Sequence, residues 1–509
     1  MVPMKHLAVI DLGSNSFRLV AYGYEEGRVW MRSDEIREAV RISEGMGDEA
    51  LLKPEPVERA VNTAAVFAAF CDSSGIDDVI PVATSAIRDA ANQAEVLAEM
   101  KRRSGLDVRV ISEQDEAWYG YLAVANSTTL VDGFAIDIGG GSVQVMRLSG
   151  RKLAGSLSWR LGAVRMSERF LPDEEATGKA VKALRNHVAE QLEEADWLTS
   201  EDAQRIAGIG GTIRNLAAAA QKAAGHPSTG VQGFRLTREA LEDLIDELAA
   251  RPASKRGRVP GIKPDRGDVI LGGALVLATV MDHSELAAVE VSEAGLREGI
   301  FFERFLHGAD PPLFEDVRRD SVLNLANRYL EGLEHSRHVA ELSLEIYDGL
   351  AGAGLHEPSP LDRELLWAAG MLHDIGVAVD YDDHHKHSHY LILNAGLPGF
   401  TPRELILVAL IARYHRKGDP DVSELGPLAR RGDQQRLELL SGVIRLAEQL
   451  ERSRNQVVRS VHLEAADGRV RLAAEAAHAP DASVSIWAAQ RNADLLARAI
   501  DRELEIDAR

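Results

Sequence analysis

The sequence lacks several features that define whole classes of protein. Its 509 residues include a single cysteine, Cys71, which excludes a disulfide framework and a cysteine-based zinc cluster. A lone cysteine is usually a small buried apolar side chain. No run of about 18 apolar residues occurs, so no membrane span is expected. The first residues lack a basic segment followed by a long apolar run, and Asp11 interrupts them, which predicts a first strand and a cytosolic protein rather than a signal peptide.

Positive charge is also scarce. The chain has 58 lysines and arginines against 79 aspartates and glutamates, a formal net charge of −21. This balance argues against a general nucleic-acid binder, because phosphate backbones attract positive surfaces. It leaves room for a polyanionic substrate in a locally basic channel. Hydrophobic residues make up 45% of the chain, and the length predicts about three to five domains.

A repeated glycine-rich heptad organises the first half of the chain. Residues 10–16 read IDLGSNS and residues 136–142 read IDIGGGS. Each copy lies between two short apolar segments, so each is predicted to join the strands of a hairpin, whereas a P-loop would enter a helix there. Small residues let backbone N–H groups approach an anion, and an aspartate at a strand end can position a metal ion. The two copies therefore predict a duplicated phosphate clamp.

Three further segments accompany the repeat. GIGGT at 208–212 ends an apolar strand and opens an alanine-rich helix, which completes the arrangement of the actin-like phosphotransferases and ATPases. In that superfamily two α/β domains of ribonuclease H-like fold close on a phosphate chain and a metal. ATSAIRDAAN places Arg88 one turn into a helix, and ISEQDEAW places Glu113, Asp115 and Glu116 at the start of another. The helix dipole alone would explain an acidic helix start.

Together these segments resemble one family. VIDLGSNSFRL, ATSAIRDA, ISEQDEA, IDIGGGS, GIGGTIRNLA, PGIKPDRGDVILGGA and VSEAGLREGI occur in the order found in exopolyphosphatases and guanosine-pentaphosphate phosphohydrolases. The resemblance covers essentially the whole chain and implies hydrolysis of a phosphoanhydride. It also implies four domains: actin-like domain I at 1–125, actin-like domain II at 126–308, an all-α HD-like domain at 309–455 and a small α/β domain at 456–509.

The resemblance also implies roles for individual residues. Glu116 would be the base for the attacking water, Arg88 would contact the terminal phosphates, and Asp137 would complete the catalytic set. Asp11, Asp137 and Glu116 would hold the metal, with Mg²⁺ as the expected cofactor, Mn²⁺ as its alternative and K⁺ as a further cation. The implied phosphate-binding residues are Gly13, Ser14 and Asn15, then Gly139, Gly140, Gly141 and Ser142, and finally Gly210, Gly211 and Thr212.

One position departs from the family pattern. The family usually has an acid two residues after the second-loop serine, and this chain has Gln144. A glutamine neither takes a proton nor supplies charge to Mg²⁺. The three other carboxylates would therefore have to suffice.

The second half is rich in histidine, with nine of the sixteen histidines between 335 and 415. Apolar residues at helical spacing predict packed helices there. His338, His373, Asp374 and Glu448 resemble the ligand set of metal-dependent HD phosphohydrolases, although the family has Asp where this chain has Glu448. The alternative is a relic HD fold kept for substrate grip and dimer contacts, which we favour because the first half already carries a complete site.

Two groups of basic residues are predicted to form a polyphosphate channel through the acidic chain. A solvated loop is the alternative for each group. The first group is Lys255, Arg256, Arg258 and Arg266, and the second is His384, His385, Lys386, His387, Arg413, His415, Arg416 and Lys417.

The sequence thus predicts a Mg²⁺-dependent exopolyphosphatase that releases orthophosphate processively from the end of inorganic polyphosphate. Guanosine pentaphosphate is the alternative substrate, because it offers a similar terminal anhydride to the same loops. Two other classes stay open: a small-molecule kinase of the actin-like superfamily, and a non-catalytic sensor of polyphosphate or of a nucleotide alarmone. No nucleic-acid or membrane partner is expected, and a homodimer is expected from the family alone.

Overall fold

The computed structural model describes residues 4–47, 49–199, 205–227, 229–466, 468–476 and 478–509. The chain forms two compact units. The first contains Met1–Ala224 and Val231–Val317, and the second contains Gly225–Gly230 and Arg318–Arg509. Among the described residues, no helix combines the length and the apolar character that crossing a membrane requires.

The elements follow one another along the chain as follows. The strands are β1 (Lys5–Leu12), β2 (Phe17–Glu25), β3 (Val29–Glu38), β4 (Asp78–Ala83), β5 (Arg109–Val110), β6 (Gly133–Ile138), β7 (Val143–Ser149), β8 (Lys152–Trp159), β9 (Ile206–Ile209), β10 (Arg235–Thr237), β11 (Ala288–Val291), β12 (Val458–Ala466), β13 (Arg469–Ala476) and β14 (Glu503–Ala508). The helices are α1 (Pro54–Ser73), α2 (Ser85–Arg88), α3 (Gln93–Ser104), α4 (Glu113–Ala125), α5 (Ala163–Phe170), α6 (Gly178–Leu192), α7 (Gly210–Ala223), α8 (Arg238–Ala249), α9 (Ala253–Arg256), α10 (Ile270–Ser284), α11 (Leu296–Phe305), α12 (Val317–Tyr329), α13 (Glu334–Gly352), α14 (Pro360–Leu372), α15 (His384–Ala395), α16 (Pro402–Tyr414), α17 (Asp433–Leu450), α18 (Ser483–Arg491) and α19 (Asp494–Ile500).

The first unit contains two mixed sheets with the same local arrangement. Their strand orders are β3-β2-β1-β4-β5 and β10-β11-β9-β6-β7-β8. In the first sheet β1 pairs antiparallel with β2 and parallel with β4, and in the second β6 pairs antiparallel with β7 and parallel with β9. Both glycine-rich heptads therefore join hairpin strands, as predicted. The strand–turn–helix prediction for the third cluster is also confirmed, because β9 leads directly into α7.

Two helices, α4 and α11, tie these sheets together. One apolar core contains Val9 of the first sheet, Met146 of the second, Tyr121 of α4 and Phe301 of α11. The ring of Phe301 stacks on that of Tyr22 with centroids 4.2 Å apart. Burial of large aromatic and aliphatic surfaces of this kind is the main stabilising contribution to such a core. Helix α4 is consequently held between the two sheets, which matters because it carries Glu116.

The segment 309–317 belongs to the first unit, although the sequence placed it in the helical domain. The Asn126 side chain holds it there by two hydrogen bonds. Its Nδ2 donates to Pro312 O at 3.0 Å, and its Oδ1 accepts from the backbone N–H of Phe314 at 2.8 Å. Cys71 is buried in another core of the same unit, and burial raises the pKa of its thiol to about 11. Cys71 is therefore an inert structural residue, as the sequence predicts.

Helices α12 to α17 of the second unit pack around one apolar core that also takes in residues of a small sheet of order β12-β13-β14. Alternating apolar residues at 461–463 and 470–474 predict strands, and β12 and β13 confirm them. The amphipathic pattern from Asn492 to Leu504 predicts one terminal helix, but α19 covers only Asp494–Ile500. Asp501 adopts a left-handed backbone conformation, with φ 51°, that ends the helix. Leu504 then pairs with Val470 in a parallel strand.

Candidate active site

Three glycine-rich turns meet at one cavity of about 120 Å³ in the first unit. From the sequence-predicted set, the residues that line it are Asp11, Gly13, Ser14, Asn15, Glu116, Asp137, Gly139, Gly140, Ser142, Gly210, Gly211 and Arg266. Two predicted phosphate-binding residues lie elsewhere. Gly141 lines a neighbouring cavity, and the Thr212 hydroxyl is buried without a hydrogen-bond partner among the described residues.

Two adjacent glycines are required by the close packing of charged groups around the third turn. Gly210 has φ +92°, and a Cβ atom there would lie 2.4 Å from Asp137 Oδ1. A Cβ atom on Gly211 would lie 2.6 Å from Arg266 Nη2. Glycine at position 210 accommodates the left-handed backbone. Glycine at both positions leaves room for the Asp137 carboxylate and the Arg266 guanidinium to reach the cavity.

Three carboxylates share this cavity. Burial raises the pKa of Asp11, raises that of Asp137 to about 6 and raises that of Glu116 to about 7. Neighbouring carboxylates contribute to the last two shifts, because like charges disfavour ionisation. A cation placed among them would relieve the repulsion. Since oxygen donors of this kind suit Mg²⁺, the residues present fit a divalent ion.

Glu116 is oriented by a neighbouring arginine. Arg88 Nη1 donates to Glu116 Oε2 at 2.9 Å and to Ile111 O at 3.2 Å. Arg88 lies outside the set of cavity-lining residues, and its side chain lies against Glu116 rather than facing the cavity. Asp115, the preceding acid, accepts the backbone N–H of Ser112 in a capping box that begins α4. The cap fixes the first turn of the helix and with it the position of Glu116.

Four arginines also line the cavity, and sequence reasoning found only one of them. They are Arg18, Arg214, Arg266 and Arg297. Burial together with nearby guanidinium groups lowers the pKa of Arg18 to about 9 and that of Arg266 to about 10. A concentration of buried positive charge favours an anionic ligand.

A signal for the other three arginines was present in the quoted motifs. Each falls inside one of them, in FRL, TIRN or GLREG. Arg18 lies directly across the first hairpin from Asp11, and Arg297 Nη1 donates to Asp11 Oδ2 at 3.2 Å. Only the hairpin register and the return of α11 to the first sheet reveal that these side chains converge.

Two buried hydrogen-bond donors beside the cavity have no acceptor among the described residues. Asn15 Nδ2 and Arg297 Nε are buried and have no hydrogen-bond partner among the described residues. Buried donors normally find a partner, so orphaned ones beside a cavity indicate where a polar ligand would bind. Both donors suit phosphate oxygens.

Gln144, the departure from the family pattern, supports the second loop. It lies across the hairpin from Asp137, is 1% exposed, and its Nε2 donates to Ser142 Oγ at 2.9 Å. Because Ser142 Oγ accepts this bond, its own proton stays available for an anion.

The residues of the first predicted basic group differ in their exposure and surroundings. Arg266 lines the cavity, whereas Lys255 and Arg258 are exposed. Arg256 is fully buried, and its Nε donates to Leu248 O at 2.9 Å. It braces the segment after α8 and does not face a channel.

The second predicted basic group likewise contains both buried and exposed side chains. His384, His385 and His415 are buried, which corrects their prediction as a cationic surface. Lys386, His387, Arg413, Arg416 and Lys417 keep part of their surface in solvent. The two lysines form ion pairs with Asp383 at 2.8 and 3.0 Å, so much of their charge is already neutralised.

The predicted metal ligands of the second unit come together with one replacement. His373, Asp374 and Glu448 are neighbours, and the fourth residue beside them is His335 rather than His338. The Nε2 of His338 lies 2.7 Å from Val458 O. The two histidines are three residues apart on α13, so both lie on similar faces, and only the packing of that helix decides which one reaches the cluster.

Comparisons with known proteins agree with this architecture. The model of the Ppx/GppA phosphatase family matches residues 33–307, and the model of Ppx/GppA phosphatase domain III matches residues 317–480. The Aquifex aeolicus member of the family is 28% identical, with a TM-score of 0.52, over 60% of this chain and 99% of that one. An exopolyphosphatase-like protein is also 28% identical, with a TM-score of 0.54, over 60% and 100%. An exopolyphosphatase from Cytophaga hutchinsonii, 22% identical with a TM-score of 0.56 over 59% and 98%, shares the fold.

Proposed function

Because this chain belongs to the Ppx/GppA phosphatase family, we propose that it is an exopolyphosphatase that hydrolyses the terminal phosphoanhydride of inorganic polyphosphate. The observation that carries this proposal is the cavity itself, in which repeated glycine-rich loops, three carboxylates and four arginines converge. A terminal phosphoryl group is small and highly charged. It matches a cavity of this volume and donor content.

The glycine-rich loops and the arginines of the cavity would bind the terminal phosphoryl group. The hydroxyls of Ser14 and Ser142 and the amide of Asn15 offer neutral donors, and Arg214 and Arg266 offer charged ones. Phosphoryl transfer depends mainly on positioning and on neutralising negative charge, since little covalent chemistry is left to the protein. Guanidinium groups suit this task because their planar fork binds two phosphate oxygens at once.

Glu116 would act as the general base that activates the attacking water. A pKa of about 7 lets this carboxylate accept a proton at neutral pH and yet be basic enough to attract one. The bond from Arg88 keeps Oε2 in place, so Oε1 is the atom left to take the proton of the water. When bound, Mg²⁺ would supply charge neutralisation at the phosphoryl oxygens, and Asp11 and Asp137 are the residues that would hold it.

The rest of a long substrate has space beyond the catalytic cavity. Two adjoining cavities of about 550 and 300 Å³ share Ser14 with it. Arg165 and Arg169 line the larger one beside Glu168, whereas five carboxylates outnumber Arg41 in the other. An extended polyanion would therefore leave the site through the larger cavity, past Arg165 and Arg169, which favours polyphosphate as substrate.

The experiment measures orthophosphate release from long polyphosphate and from guanosine pentaphosphate, with Mg²⁺ and with EDTA. We expect Mg²⁺-dependent release with a higher kcat/KM on polyphosphate. Faster release from guanosine pentaphosphate would move the assignment to the alternative substrate. Transfer of phosphate from ATP to a small acceptor would indicate a kinase. Repeating the assay with Mn²⁺ and with added K⁺ tests the other cofactor predictions.

Glu116→Gln tests the base directly. It should lower kcat by about two to four decades, the usual effect of losing a general base, with little change in KM. Glu113→Gln is the matched control, because Glu113 also pairs with Arg88, at 3.7 Å, while its side chain is 50% exposed and lies outside the cavity. Near-normal turnover of Glu116→Gln would remove that residue from the role.

A further inference from the structure

A second cluster of ligating side chains lies in the helical unit, apart from the phosphate cavity. Its members are His335, His373, Asp374, His384, His415 and Glu448. They form two triads that share Asp374, and within each triad one ligand atom of every residue lies within 4.8 Å of the others. Glu448 Oε2 lies 3.1 Å from Nε2 of both His335 and His373.

Three of the histidines are held in the tautomer that a metal ligand needs. The Nδ1 atoms lie 2.7 Å from Gly370 O for His373, 2.8 Å from Tyr381 O for His384 and 2.6 Å from Ala412 O for His415. A carbonyl oxygen only accepts, so each Nδ1 carries the proton. The Nε2 atom of each ring then faces the cluster. Backbone carbonyls behind the ligands are the usual way of fixing metal-binding imidazoles.

The centre of the cluster is unsatisfied without a cation. His384 Nε2 and His415 Nε2, the ring nitrogens that do not contact backbone carbonyls, lie only 3.1 Å apart. Asp374, whose side chain is only 3% exposed, has an Oδ1 atom that accepts no hydrogen bond from the described residues. That oxygen lies 3.4 Å from His384 Nε2 and 4.0 Å from His415 Nε2. A buried unpaired acceptor of this kind is costly unless an ion completes it.

We propose that these six side chains form a centre for two transition-metal ions, with Asp374 shared between His335 and His373 on one side and His384 and His415 on the other. Four imidazoles and two carboxylates are a donor set for Mn²⁺, Fe²⁺ or Zn²⁺ rather than for Mg²⁺. The centre stands on the residues of the second unit alone and is independent of the function proposed for the first.

The surroundings indicate the class of ligand that the centre would take. A cavity of about 230 Å³ opens onto His384, His415 and Glu448, and Arg416, Arg452 and Arg454 line its walls. Arg454 also donates to Asp374 Oδ2. Three guanidinium groups beside bound metal ions suit a phosphate-bearing anion.

The metal content of the full-length protein tests the centre. In an Asp11→Asn, Asp137→Asn background, which removes the carboxylates of the first cavity, the chelator-treated protein is reloaded with MnCl₂ or ZnCl₂. Gel filtration then removes free metal, and the bound ions are counted by mass spectrometry. We expect two ions per chain. His335→Gln and His384→Gln should each retain one ion, and Asp374→Asn should retain none.

Two control variants separate ligation from a structural effect. His338 lies on the same helix as His335, and His389 lies on the same helix as His384 and pairs with Glu424 at 2.9 Å. The control variants are His338→Gln and His389→Gln. Both should keep two ions. Reloading should also raise Tm of the parent protein but not that of Asp374→Asn, because binding to the folded state stabilises it. Fewer than two retained ions in the parent, or equal losses in the controls and the ligand variants, would overturn the centre.

Inorganic phosphate tests the ligand class. Because the first cavity is itself proposed to bind a phosphoryl group, the readout is the difference between the Mn²⁺-loaded protein and Asp374→Asn, which keeps that cavity. The Mn²⁺-loaded protein should bind one more phosphate in titration calorimetry than Asp374→Asn does, and Arg452→Gln should weaken that additional binding about tenfold while retaining both ions. No additional phosphate, or additional binding that Arg452→Gln leaves unchanged, would contradict a phosphate-bearing ligand at the arginine-lined cavity.

Discussion

Replacing Glu116, the proposed base, with glutamine should stabilise the metal-free protein. Glu116 is nearly buried, with 11% of its side chain exposed, and burial raises its pKa from the ordinary 4.5 to about 7. A raised carboxyl pKa means that the folded state resists ionisation. Glutamine has almost the shape of the protonated carboxyl, so it keeps the packing and lacks the charge. The ionised Glu116 side chain is therefore expected to lower the stability of the fold.

The size and the pH range of this effect follow from proton linkage. Below about pH 4.5 Glu116 is protonated in both the folded and the unfolded state, so the two proteins should differ little. As the pH rises toward 7 the unfolded state loses a proton that the folded state keeps, and the wild type loses stability. Above pH 7 the full difference of about 3 kcal/mol remains, at about 1.4 kcal/mol for each pKa unit. For a first unit of roughly 300 residues this corresponds to about 5 °C in Tm.

Calorimetric unfolding in EDTA at pH 5 and at pH 8 measures this difference. Glu116→Gln should unfold at a higher temperature than the wild type at pH 8, and the gap should narrow at pH 5. Glu113→Gln is the control, because it also removes a carboxylate that pairs with Arg88, but one that is half exposed and outside the cavity, and it should not reproduce the gain of Glu116→Gln at pH 8. A Glu116→Gln variant that is equally stable or less stable at pH 8, or a gap independent of pH, would refute the reasoning.

Two further substitutions test the loops. Gly211→Ala should push the flexible Arg266 guanidinium aside, because the new Cβ would lie 2.6 Å from its Nη2, and KM for polyphosphate should rise about tenfold, the effect of losing one charge-assisted hydrogen bond. Gly155→Ala, where a Cβ meets open space, is its control, and equal KM values for both would contradict the clash. Gln144→Leu should lower kcat/KM about fivefold by removing the bond to Ser142. Adding Ser142→Ala should then cost less than that serine substitution alone, and fully additive losses would show that the two residues act separately.

Local patterns in the sequence predict the scaffold of the site well. The apolar segments on both sides of IDLGSNS and IDIGGGS distinguish a hairpin from a helix entry, and the structure confirms both hairpins. The third turn is predicted for the same reason, since a short apolar strand and an alanine-rich helix surround it. In each case the information lies within about 20 neighbouring residues, where periodicity and glycine placement are decisive.

Features that depend on packing between distant segments were harder to predict. Arg18 and Arg297 are 279 positions apart and converge only because α11 returns to the first sheet. His384 and His415 are predicted as cationic surface because sequence spacing does not show that both side chains are buried, one at the start of α15 and one directly after α16. The exchange of His338 for His335 has a similar origin, since one helical turn separates two residues of the same kind.

The repeat also shows where the two halves of the cleft have diverged in chemistry. Asp11 and Asp137 occupy equivalent places, and the residue across the hairpin from each is Arg18 in one copy and Gln144 in the other. The arginine brings positive charge to the cavity, whereas the glutamine is neutral and orients a serine hydroxyl. A phosphoryl group in transfer is itself asymmetric, with a leaving oxygen on one side and an attacking water on the other. Two identical hairpins would present the same groups to both sides. In the proposed reaction, the difference between Arg18 and Gln144, together with Ser14 and Asn15 against Gly140 and Gly141, would give the duplicated clamp its direction.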